Sequence, residues 1–182
     1  CARRDHLVTH SPARIRELLG ADLAPRRDLG QNFVADPNTV RRIAALAEVG
    51  PGDHVIEIGA GLGSLTLALA DTGAAVTAVE VDRGIVPVLR DVVAEVPTVR
   101  VVEADATMVD WNELLAGHDR WTLVANLPYN IATPLVADLL DDVPQVAAML
   151  VMGQKEVAQR FAAGPGSKQY GAVSVKVAYW AT

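Results

Sequence analysis

The chain has 182 residues, 51% hydrophobic and 4% aromatic, with 22 acidic against 16 basic side chains and a formal charge of −6; this suits one soluble domain with a sizeable core and argues against a protein wrapped in nucleic acid. No run nears the ~18 apolar residues of a membrane span, and the opening CARRDHLVTH has no apolar stretch to serve as a signal peptide, so a cytoplasmic chain is expected. The single cysteine, Cys1, excludes an internal disulfide, and His6, His10, His54 and His118 are scattered with no metal-ligand spacing, so no metal is expected.

The charge is segregated. Eight arginines between Cys1 and Arg42 (Arg3, Arg4, Arg14, Arg16, Arg26, Arg27, Arg41 and Arg42) face five acids, so this stretch carries +3 and the remainder −9. Lys155, Arg160, Lys168 and Lys176 form a second basic group opposed only by Glu156. Such local patches suffice to attract a phosphate backbone, because the interaction fades within a Debye length.

In chain order, SPARIRELLG predicts a short helix with Ser11 as N-cap, Pro12 at the first helical position and Gly20 as its stop. LGQNF reads as a loop. DPNTVRRIAALAEVG repeats the device, with Asp36 as cap, a stripe of Val40, Ile43, Ala44 and Ala47, and Gly50 at the end. Short apolar runs then alternate with longer amphipathic ones, the pattern of a parallel sheet covered by helices. HVIEIG, AVTAVEV, TVRVVEA, RWTLVAN and VAAMLVM are the predicted strands, with GAVSVKVAYW as a sixth; helices are predicted at 62–71, 83–95, 133–140 and 154–163. The fold class is α/β, doubly wound and Rossmann-like.

EIGAGLGSLT places Gly59, Gly61 and Gly63 between the first strand and a helix, where glycine permits a tight turn and a close ligand approach. The spacing departs from G-x-G-x-x-G, and Glu57 counts as a negative charge that disfavours a pyrophosphate, which points to a cationic, phosphate-free adenosine compound. Glu80 ends the second strand about twenty residues on, where a carboxylate can hold a ribose diol. NAD enzymes use an acid there too, so a dehydrogenase and an S-adenosylmethionine (SAM) enzyme are separated only weakly at this point. Asp105, ending the third strand, adds an acceptor for an adenine amino group.

RWTLVAN delivers Asn126 to the carboxyl edge of the sheet, and Pro128 fixes the backbone after it. The exocyclic amine of a base is a poor nucleophile because its lone pair is delocalised into the ring. A catalyst must accept hydrogen bonds from that amine, and the Asn126 amide oxygen and the Leu127 carbonyl are such acceptors. Tyr129 offers a face on which a flipped base can stack. The plainer alternative is that Asn-Leu-Pro-Tyr is a strand-terminating turn with a half-buried tyrosine.

LGQNFVADP, EIGAGLGSLT, VEVD, EADA, NLPYNIATP and QKEVAQRFAAGPGSKQYGAVSV, in this order, make the chain from Leu29 onward resemble the small-subunit ribosomal RNA adenine N6-dimethyltransferases. The resemblance implies a SAM-dependent methyltransferase fold of seven strands, SAM as the cofactor, and dimethylation of adjacent adenines in a small-subunit rRNA hairpin linked to ribosome biogenesis. Asn32, Val34, Gly59, Gly61, Glu80, Asp105 and Asn126 would line the SAM site, with LGQNF closing over it, and Asn126, Leu127, Pro128 and Tyr129 the target-base site. Residues 1–182 would be a catalytic domain, with N-terminal helices and the closing loop in 1–50 and without the family's helical C-terminal domain. Its expected partners are rRNA and the pre-30S particle, with the protein a monomer. The alternatives are a large-subunit rRNA or DNA adenine methyltransferase, or an assembly factor whose ribosome contact outweighs its chemistry.

Overall fold

A computed structural model describes residues 10–20, 34 and 36–181, except for the side chains of Pro12, Tyr129 and Asn130. The predicted LGQNF loop, Asn32, Arg26 and Arg27 lie outside the described residues.

Two helices come first, α1 (Pro12–Leu19) and α2 (Pro37–Leu46). Each is started by a cap and a proline: Ser11 Oγ accepts the Arg14 amide at 3.2 Å, and the Asp36 carboxylate accepts those of Asn38 and Thr39 at 3.1 Å each. Strands and helices then alternate as β1 (His54–Ile58), α3 (Ser64–Asp71), β2 (Ala75–Glu80), α4 (Ile85–Val93), β3 (Val99–Glu103), α5 (Trp111–Leu114), β4 (Trp121–Asn126), α6 (Tyr129–Asp142), β5 (Val146–Met152), α7 (Lys155–Phe161) and α8 (Ala172–Trp180). The five strands form one sheet in the order β3-β2-β1-β4-β5, every pair parallel.

Alternation along the strands divides the core between the two faces. Val55, Val76 and Val124 pack with Val40 and Ile43 of α2 and Leu65 and Leu69 of α3. On the other face Ile56, Ile58, Leu123 and Ala125 pack with Leu135 and Leu139 of α6. Burial on both faces explains why the strands read as nearly continuous apolar runs.

The predicted sixth strand, GAVSVKVAYW, is instead α8. Its alternating valines read as period two, yet the segment packs as a helix against α6 and α7. Ser174 fixes its start, accepting the Gly171 amide at 3.1 Å and donating to the Arg160 carbonyl at 2.6 Å. Asp141 of α6 holds the other end, 2.6 Å from Lys176 Nζ and 3.1 Å from Trp180 Nε1. The sheet therefore has five strands among the described residues, against the seven that the resemblance implies. α6 also begins at Tyr129 rather than Thr133: Thr133-Pro134 looks like a cap and first residue, but Pro134 lies inside the helix.

Candidate functional site

β1 sits between β2 and β4, and the chain leaves it on opposite sides in the two halves of the fold, so the crevice beyond the carboxyl ends of β1 and β4 is the topological switch point. Three loops meet there. After β1, the Gly59 and Ala60 amides both donate to the Val79 carbonyl, at 2.9 and 3.2 Å, which ties the glycine loop to β2. Gly61 has φ +55°, and its amide donates to Glu80 Oε2 at 2.7 Å. Gly63, at φ +84°, lets the first turn of α3 reach α4: a Cβ there would lie 2.9 Å from Leu89 Cδ1.

At the end of β2, Glu80 is 5% exposed, and its Oε1 also accepts the amides of Val81 and Asp82 at 3.0 and 2.9 Å. Three of its roughly four lone-pair sites are thus committed to backbone. Glu80 shapes the loop as well as facing the crevice, a double duty that the sequence reading does not foresee. Past β3, Asp105 Oδ1 accepts the Thr107 amide at 2.9 Å and its hydroxyl at 2.7 Å, so the exposed carboxylate is steadied through one oxygen.

At the end of β4, Asn126 is followed by Leu127, whose amide donates to the Met152 carbonyl of β5 at 3.0 Å. Pro128 has extended backbone, φ −66° and ψ 154°, and caps α6; its carbonyl accepts from Ile131 and Ala132 at 3.3 and 3.1 Å. The turn is therefore a rigid strand-to-helix junction. One cleft brings these segments together. Val34, Gly59, Gly61, Glu80, Asp105, Asn126, Leu127 and Pro128 all line it. Asn32 lies outside the described residues, and Tyr129 is described only as the first residue of α6.

Sequence reasoning missed some of the lining. Leu62 comes from the end of the glycine loop, Ser64 and Leu65 from the first turn of α3, and Ile131 from the first turn of α6. The glycine spacing could have pointed to the first three; Ile131 becomes visible only once α6 is started at Tyr129. His10 was also missed: its ring Nε2 lies 2.8 Å from the Leu62 carbonyl, and its amide donates to Ser64 Oγ at 3.4 Å. Burial lowers the His10 pKa, so the neutral ring braces the glycine loop from behind.

Glu57 is corrected. It is 2% exposed, and burial pushes its carboxyl up to about 8, with the Thr66 hydroxyl at 2.6 Å opposing and the Glu80 charge reinforcing the rise. At neutral pH it is mostly protonated, so the sequence argument that counted it as a fixed negative charge does not hold. The preference for a cation rests instead on the rest of the lining: among the described residues it includes Glu80 and Asp105 and no Lys, Arg or His. His54 and His118 stack with centroids 3.4 Å apart beside Trp121, where β1 and β4 begin and away from the cleft. Among the described residues no group of three or more His, Cys, Asp or Glu could hold a metal ion.

Comparison with known proteins matches residues 23–182 to the family described as ribosomal RNA adenine dimethylase. Ribosomal RNA small subunit methyltransferase A of Magnetococcus marinus is 51% identical over 87% of this chain and 57% of its own length; its counterpart in Bifidobacterium adolescentis is 49% identical over 97% and 60%. The chain thus spans less than two thirds of these relatives. Among solved structures, a dimethyladenosine transferase from Plasmodium falciparum superposes with a TM-score of 0.68 at 27% identity, over 78% of this chain and 50% of that one. The 23S rRNA methyltransferase ErmE superposes with a TM-score of 0.63 at 32% identity, over 71% and 50%.

Proposed function

Since this chain belongs to the ribosomal RNA adenine dimethylase family, we propose that its cleft binds SAM and that the protein dimethylates N6 of adenines in a small-subunit rRNA hairpin, two adjacent ones. The observation that carries this reading is the convergence of the glycine loop, Glu80, Asp105 and Asn126–Pro128 on one cleft without a cationic side chain among its described lining residues. Such a lining suits a positively charged adenosine compound and would leave a dinucleotide's phosphates without a counter-charge. The protein acts as a monomer in the cytoplasm on rRNA within a pre-30S particle; no helix among the described residues is long and apolar enough to cross a membrane.

Bound there, SAM supplies an electrophilic methyl group. The chain's own residues do the positioning. Glu80 and Asp105 hold the ribose and adenine ends, Gly59 and Gly61 let the backbone approach, and Val34 lines the cleft; Asn32, outside the described residues, is assigned to the same site by the family resemblance. The Asn126 amide oxygen and Leu127 carbonyl accept hydrogen bonds from the target amine, holding its N–H bonds in a fixed direction with the lone pair turned away from the ring. Pro128 keeps both acceptors rigid, and the Tyr129 ring stacks on the flipped base. Fixed acceptors of this type contribute ~10²–10³ in rate.

Replacement of Asn126 by Ala tests the reading. Methyl incorporation into isolated small subunits should fall by about 10²-fold or more, while calorimetric SAM binding survives at least in part. Tyr129→Phe should keep much of the activity that Tyr129→Ala loses, since stacking needs the ring and not the hydroxyl. A well-folded Asn126→Ala protein working at the parent rate refutes the mechanism. Preferred methylation of large-subunit rRNA or duplex DNA by the parent protein refutes the substrate.

A further inference from the structure

Resting on the reading of the cleft as a SAM site, we propose that Glu57 is a proton switch that matches the charge of the cleft to its ligand, keeping its proton in the free protein and releasing it to solvent when a cationic cofactor binds. It is the specificity-determining residue that separates SAM from S-adenosylhomocysteine (SAH), the spent cofactor that has lost the sulfonium charge.

The geometry isolates this carboxyl. Glu57 lies next to last in β1, on the sheet face covered by α2 and α3, and it lines the cleft while remaining 2% exposed. Among the described residues its side chain has one hydrogen-bond partner, the Thr66 hydroxyl of α3. No cation faces it. β2 contributes the acid Glu80, and β4 contributes the uncharged Val124 and Asn126. The one charged residue of α3, Asp71, is at its far end, and α2 turns Arg41 and Arg42 to solvent. His10, behind the glycine loop, is kept neutral by burial. An ionised carboxylate at this position would be desolvated beside a second carboxylate, and so the proton stays on, with a pKa of about 8.

A ligand that carries positive charge into the cleft reverses this balance. An opposite charge within ~4–6 Å lowers a carboxyl pKa by about 1–3 units, enough to bring Glu57 to or below neutrality. The carboxylic acid then becomes a carboxylate, the proton passes to buffer, and the ionised group holds the cation. SAM carries both a sulfonium and an ammonium group; SAH keeps only the ammonium, so it ionises Glu57 less and is held less tightly. Loss of the sulfonium charge on methyl transfer thereby loosens the cleft's hold on the product.

Isothermal titration calorimetry of the protein at pH 7, in phosphate and in Tris, reads this directly, because the dependence of the heat on buffer ionisation enthalpy counts the protons exchanged. SAM should release a large fraction of a proton, up to about 0.9, and SAH less than half as much. Glu57→Gln should bind SAM with almost no release, and its SAM affinity should lose the rise with pH between 6 and 8 that the parent shows. Buffer-independent heats for SAM, equal release by SAM and SAH, or undiminished release in Glu57→Gln each overturn the proposal. The comparison of SAM with SAH on the parent protein is decisive even if the variant fails to fold. Absence of binding by either ligand rejects the SAM reading itself, whereas SAM binding without proton release rejects the switch alone.

Discussion

Glu57 and His10 act on the fold as well as on the cleft, and with opposite signs. The folded-state pKa of Glu57 is raised from 4.5 to about 8. The native state therefore holds a proton that the unfolded chain gives up, and stability present below pH 4.5 is lost as pH rises toward 8, at up to about 1.4 kcal/mol per unit. The pKa of His10 is lowered from 6.5, so its contribution is present above pH 6.5 and is lost as pH falls through the folded value. Thermal unfolding of the ligand-free protein should accordingly show its maximum on the acid side of neutrality. Glu57→Gln should raise the melting temperature at pH 8 and leave it nearly unchanged at pH 5; an equal shift at both pH values would show that the carboxyl does not stay protonated. Glu80 calls for a gentler substitution than Ala. With three backbone amides on its carboxylate, Glu80→Ala disturbs the loop and the ligand together, while Glu80→Gln keeps an acceptor and isolates the loss of charge.

At the scale of elements, the strands were legible because each is a short apolar run ended by a turn or a polar residue, and the helices because caps announce them. Asp36-Pro37 is the clearest case, a side-chain cap followed by the residue that cannot donate. Where two periods compete the sequence misleads: the valines of α8 alternate, and only Ser174, Lys176 and Trp180, through partners on α6 and α7, make the segment a helix. α5 is four residues long, too short for any period. Much of the cleft was legible because its acids and glycines stand at strand ends, but the protonation of Glu57 was not, since it depends on what packs around the carboxyl. The joint between α3 and α4 is testable. Gly63→Ala adds backbone strain at φ +84° to an overlap with Leu89, and should cost roughly 1–3 kcal/mol and weaken SAM binding, since Ser64 and Leu65 line the cleft. Gly52, at φ +95°, has no atom within 4 Å of where a Cβ would stand, so Gly52→Ala should show the strain alone, about 1 kcal/mol. Equal losses in the two variants would remove the packing argument.

Among the described residues, acid and base are sorted to different places, which is what the proposed RNA binding by a protein of net charge −6 requires. The described lining of the cleft has no cation, whereas a groove nearby is lined by Arg160 of α7, Lys168 and Tyr170 of the following loop, and Lys176 of α8. Thr133 and Ala137 of α6, the helix that begins at the Asn126–Pro128 corner, line it too. A strand lying in the groove would therefore be led along α6 toward the cleft. The three cations are not equivalent: Lys176 is 2.6 Å from Asp141, and its charge is partly spent on that pair, so Arg160 and Lys168 should carry most of the phosphate attraction. Each phosphate neutralised adds about 0.7 to the slope of log K against log salt for single-stranded RNA, and about 0.9 for a duplex. Fluorescence anisotropy of a labelled rRNA hairpin, titrated between low and moderate salt, should show steep weakening with the parent protein. Arg160→Gln together with Lys168→Gln should reduce the slope by about 1.4–1.8, while Lys176→Gln should change it less. Asn126→Ala should leave the slope alone, since the partner proposed for its amide is the base and not the backbone. A salt dependence that is flat in the parent, or unchanged in the double variant, would make the groove ordinary solvated surface and move the RNA contact elsewhere on the protein.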